Sequence, residues 1–155
     1  MRCRENRVIA VTSLWVALAC AGCATSISEG DLNRQLTKVA QPYARLGPQQ
    51  MIPVYAESRM VAIGLLAEAR NDSNSPLSRR VGHQLDRAHR RNAHAVVGGP
   101  YADLSDRILT NALNLNEDGQ LRGLKVLFVS DAAPTPALLE AARLSQARIH
   151  HRTPQ

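Results

Sequence analysis

Apolar residues recur along this chain at two spacings, and the switches between them predict the order of elements. Leu32, Leu36 and Val39 follow one another at helical spacing behind Asp31, which is placed to cap that helix, and Pro42 ends or bends it. Leu46-Gly47-Pro48 reads as a break. Pro53 suits the first turn of a second helix over roughly Val54 to Arg70, with Tyr55, Met60, Ile63, Leu66 and Ala67 as its apolar positions. The run Met60 to Leu66 fits a buried strand as well. Asn71 to Pro76 consists almost wholly of turn formers. From Leu77 to Asn92 the faces divide cleanly. Val81, Leu85 and Ala88 make an apolar stripe, and Arg80, His83, Arg87, Arg90 and Arg91 lie largely away from it, which predicts an amphipathic helix with a basic outer face.

Beyond this helix the period shortens. Ala93 to Val97 reads as a short buried strand ending in Gly98-Gly99-Pro100. Asp103-Leu104-Ser105-Asp106 opens a helix with an acidic first turn, whose core positions are Leu104, Ile108, Leu109, Ala112 and Leu113. An Asp118-Gly119 turn follows, and Leu124 to Ser130 is the strongest strand signal in the chain. Thr135 caps and Pro136 begins a helix to about Gln146, and Arg148 to Arg152 makes a third, short strand. Strands alternating with helices imply a parallel sheet with crossover helices. The expected fold is a small α/β domain of three layers, with about three parallel strands and N-terminal helices.

The first residues have a different character. Arg2, Arg4 and Arg7 make a positive start, and Val8 to Ala19 is an uncharged apolar run of the length found in secretory signal peptides, too short alone to span a bilayer. The chain then reads Leu18-Ala19-Cys20-Ala21-Gly22-Cys23-Ala24-Thr25. Ala21-Gly22-Cys23-Ala24 resembles the lipobox of bacterial lipoproteins, and Ala17-Leu18-Ala19-Cys20 is a second candidate. The resemblance covers the leader alone. It implies that the thiol of Cys23, or alternatively Cys20, is acylated and becomes the first residue of the mature protein. It also implies an outer-membrane address facing the periplasm, since Ala rather than Asp follows either cysteine. The expected division is a signal peptide at 1–22, a lipidated tether at 23–30 and one α/β domain at 31–155.

Charge and composition narrow the function. Removing 1–22 leaves 16 basic and 12 acidic side chains, a mild excess that fits an anionic membrane, a cell-wall surface or an acidic protein. The single Trp is Trp15, in the leader, and aromatics are 3% of the chain, so the stacking rings of single-strand nucleic-acid binders are missing and no nucleic-acid partner is expected. Cys20 and Cys23 form a C-x-x-C, but it closes an apolar leader with no second pair, so the cysteines give no reason to expect zinc or redox chemistry. His83 and His89 sit six residues apart, on different sides of a helix, and there is no H-E-x-x-H, P-loop or G-x-S-x-G. No metal and no cofactor are expected.

Two candidate surfaces remain. In a parallel sheet the loops after adjacent strands emerge together, which places Gly98, Gly99 and Tyr101 beside Ser130 and Asp131 on one edge. There, backbone N–H groups of the glycines would meet an anion; the plainer reading is a tight exit turn followed by helix caps. The second surface is Arg80, Arg87 and Arg91 on the outer helix face, open to an anionic partner or simply solvated. The expected protein is thus a non-catalytic envelope lipoprotein whose domain binds a protein or cell-wall partner. A small-ligand-binding or enzymatic domain using the strand-exit loops is the alternative.

Overall fold

The computed structural model describes residues 27–116 and 119–154; Cys3, Cys20, Cys23, Trp15 and Asp118 lie outside the described residues. The described residues form five α-helices and four strands in the order α1 (Glu29–Ala40), a 3-10 turn (Gln41–Leu46), β1 (Gln49–Pro53), α2 (Arg59–Asn71), α3 (Pro76–Arg90), β2 (His94–Gly98), α4 (Ala102–Asn114), β3 (Lys125–Val129), α5 (Pro136–Ser145) and β4 (Arg148–Arg152). All strand pairs are parallel, and the sheet runs β1-β2-β3-β4. The α/β architecture and the segments read as parallel strands are therefore present, with one strand more than the sequence pattern predicted.

The added strand is β1. Pro53 closes it instead of starting a helix, and α2 begins only at Arg59, where the Ser58 hydroxyl accepts from Val61 N at 3.3 Å. Met60 to Leu66 is helical. Proline is tolerated here because β1 is an edge strand, with β2 as its one neighbour. α1 likewise starts two residues before Asp31. Ser28 is its N-cap, accepting from Asp31 N at 3.1 Å and donating to the Asp31 carboxylate at 2.6 Å.

Alternation along the strands divides the core. Ile52, Ala95, Val97, Val126 and Phe128 face α2 to α5 and pack with Leu85, Leu104, Ile108 and Leu138. On the opposite face, Val96, Leu127 and Val129 pack against Leu32, Leu36 and Ala40 of α1. Burial of each such Leu or Phe contributes about 1.5–3 kcal/mol. α4 is the central helix, burying Leu104, Ile108, Leu109, Asn111, Ala112 and Leu113 among the sheet, α2, α3 and α5. Because the strands succeed one another in space without a reversal of order, α2 to α5 all cover one face. The crevice that a reversal opens in other α/β sheets, where their ligands sit, does not form between these strands.

Candidate functional site

The strand-exit edge forms as the pattern implied: Gly98 lies opposite Val129 in adjacent parallel strands, so the two loops leave side by side. What fills the edge is packing. Val54 N donates to Gly98 O at 2.8 Å. A Cβ on Gly98 would stand 2.6 Å from Val129 O and 2.9 Å from Leu36 Cδ2, and one on Gly99 would run into the Val54 carbonyl and meet Ser105 Oγ at 2.7 Å. The two glycines let α1, α4 and the segment after β1 close over the end of the sheet. Ser130 is equally engaged: its Oγ accepts from Ala132 N at 3.2 Å, its carbonyl accepts from His151 Nε2 at 2.8 Å, and its N–H donates to Arg152 O at 2.9 Å. Asp131 is exposed. Tyr101 precedes α4 without a side-chain cap and lines a shallow groove of about 260 Å³ with Arg59, Ile63 and Leu66.

The α3 face is built from its buried side outward. Val81, Leu85 and Ala88 are fully buried, as the stripe implied. At 100° per residue their burial throws Arg79, Arg80, His83, Arg87, Arg90 and Arg91 into an arc of roughly 120°. Arg80, Arg87 and Arg91 are exposed and cluster within about 40° at one side of it. Arg90 is paired with Asp86 at 2.9 Å; no other ion pair involves this helix among the described residues. The helix is anchored by a buried polar chain: Ser75 and Ser78 share a hydroxyl bond at 2.8 Å, and Asn111 Nδ2 donates to Ala69 O at 2.8 Å and to Ser78 Oγ at 3.4 Å. That chain joins the end of α2, the start of α3 and the middle of α4.

A third surface escaped the sequence reading. α1 covers the sheet over β1 to β3, leaving the same face of β4 open. Lys125, Arg148 and His150 stand there beside Leu127, Val96 and His94, with Tyr43 and Leu46 at the rim, around a groove of about 240 Å³. The signal was present in Arg148-Ile149-His150-His151-Arg152. Alternation places Arg148, His150 and Arg152 on one face, exposed, with Ile149 and His151 half-buried on the other.

The described residues contain no group of three His, Cys, Asp or Glu suited to a metal ion, and no helix long and apolar enough to cross a membrane. Perturbed carboxyls lie away from these surfaces: the Ser28 hydroxyl bond and the Arg34 charge hold Asp31 below the usual carboxylate range, and Arg143 does the same for Glu140. Comparison of the chain with family models, curated proteins and solved structures gives no match.

Proposed function

We propose that this chain is a lipid-anchored, non-catalytic envelope protein whose α/β domain holds an anionic protein or cell-wall partner through the outer face of α3. The observation that carries the reading is the exposed set Arg80, Arg87 and Arg91, for which the described residues supply no ion pair. Guanidiniums present forked donors suited to carboxylates and phosphates. Near an anionic surface each is worth on the order of 1 kcal/mol, enough in sum to matter for a tethered protein. The anchor itself rests on the lipobox resemblance at Cys23, with Cys20 as the alternative, and on the apolar leader before it; Ala24 after the cysteine supports an outer-membrane address. The alternative ligand site at the strand exits has less to recommend it, because Gly98 and Ser130 spend their polar groups within the chain.

The test is made in cells. Replacing Arg80, Arg87 and Arg91 together with Gln should leave the thermal midpoint nearly unchanged, since solvated charges contribute little to folding. The same change should reduce crosslinking of the lipidated chain to its envelope partner, and added salt should mimic it in isolated envelopes. Parent-like crosslinking at low salt would reduce the face to a solvated surface. Intact-mass analysis of the membrane fraction should show an acylated Cys23; an uncleaved leader would remove the anchor from the reading.

A further inference from the structure

We propose that the open face of β4, with the exposed start of β3 at Lys125, is a binding site for a small anion carrying an apolar or aromatic body. Lys125 is the direct partner of Arg148, and Leu127 of His150, across a parallel pair whose strands lie about 4.8 Å apart. Like charges directly opposite on neighbouring strands destabilise a sheet. Among the described residues Lys125 and Arg148 nonetheless form no ion pair and no side-chain hydrogen bond, and none of the Asp or Glu residues described lines the groove. A local rule broken without compensation inside the fold marks a place where something outside it supplies the balance. An anionic group seated between the ammonium and the guanidinium supplies it.

The floor under these cations is apolar. Leu127 and Val96, buried beneath α1, close it from below, and Leu46, 59% exposed, offers apolar surface at the rim beside Tyr43. His94 Nε2 lies 3.2 Å from the Leu46 carbonyl, which fixes that rim to the sheet. On the other side Arg152 is already engaged, donating from Nε to the Tyr43 hydroxyl with its guanidinium 5.6 Å from the ring centroid. Tyr43 is thereby held as a wall, and Lys125 and Arg148 are the cations left for a ligand. The groove of about 240 Å³ is small beside the pockets of roughly 300–1,000 Å³ that hold drug-sized molecules, so the occupant is compact. A charged head for the two cations and an apolar body for Leu46 and Tyr43 define its chemistry. The site lies across the sheet from the α3 face and is independent of it.

The probe is 2-naphthyl phosphate, titrated into the full chain in neutral maltoside micelles, with inorganic phosphate and neutral 2-naphthyl glucoside as controls. One equivalent should bind saturably, and each control at least tenfold more weakly. Lys125→Gln with Arg148→Gln should weaken the naphthyl phosphate at least tenfold, and Leu46→Ala should weaken it several-fold. Arg70→Gln, on the exposed face of α2 across the sheet, should leave it unchanged. Both sets of substitutions fall on exposed side chains, and in the first the thermal midpoint at low salt should hold or rise as the repulsion disappears. Parent-like affinity in the Lys125/Arg148 variant would overturn the proposal, as would inorganic phosphate binding equally well. Binding to phosphatidylglycerol vesicles that depends on Lys125 and Arg148, without any binding of the naphthyl phosphate, would make the face a lipid contact and overturn it too.

Discussion

The carboxylate of Asp106 on α4 holds Thr135 at two points, accepting from its hydroxyl at 2.8 Å and from its backbone N–H at 3.0 Å. The same Thr135 oxygen accepts from Leu138 N at 3.2 Å, the capping bond that starts α5. One helix thus determines where the next begins, and through α5 where the edge strand β4 is laid down. Asp106→Ala should lower stability by about 1–2 kcal/mol, as expected for a charge-assisted cap. Thr135→Ala should cost a similar amount. The double substitution should cost clearly less than their sum in urea unfolding, because both remove one cluster. Additive losses would show that the two residues act separately.

Gly99 provides a test of what the strand-exit edge is for. Its missing Cβ leaves room for the Val54 carbonyl and Ser105 Oγ, both backed by packed structure. Gly99→Ala should therefore destabilise the domain by about 1–3 kcal/mol, the usual penalty for overpacking. A variant as stable as the parent would show that the edge has slack and return the glycines to candidacy as an anion cradle.

Most of the sheet was legible because Val96, Val97 and Val126 to Val129 are buried on both faces of central strands, and such strands announce themselves as apolar runs. β1 did not. Only Ile52 in it is fully buried, and Gln49, Gln50 and Pro53 reflect an edge strand bonded on one side. Proline serves both first helical turns and strand edges, and the partner that decides between them for Pro53, Gly98, is far away in sequence. The α3 face was legible since helical period alone sets it. The groove at Lys125 and Arg148 was not, because their adjacency comes from register between strands separated by a whole helix.

Asp31 links the first helix to pH. Its carboxyl is held low first by the Ser28 hydroxyl bond and then by Arg34, 2.6 Å away. A carboxyl depressed in the folded state adds stability above its unfolded pKa, and that contribution disappears as pH falls through the folded value. Following Asp31 by NMR titration, Ser28→Ala should raise its midpoint toward the ordinary carboxylate range, and Arg34→Gln should raise it less. The reverse order would make the surface ion pair the main cause.

Asn111 carries the geometry of α3. Its side chain is buried at the junction of three helices, and its amide donates to the Ala69 carbonyl near the end of α2 and to Ser78 Oγ near the start of α3. Asn111→Ala removes both bonds, takes from the buried Ala69 carbonyl its side-chain donor while Ser78 Oγ keeps Ser75, and opens a small void, which together should cost about 2–4 kcal/mol. Asn111→Asp should be worse, because an ionised carboxylate would face the Ala69 carbonyl with no donor of its own. The loss should also be uneven. α2 contacts α4 far more than it contacts the sheet, so hydrogen exchange in Asn111→Ala should rise first in Arg59–Asn71 while β2 and β3 stay protected. If exchange instead rises equally in the central strands, α2 belongs to the same cooperative unit as the sheet. The Asn111 chain would then stabilise the whole fold, without a special part in setting α2 and the arginine face of α3 against α4.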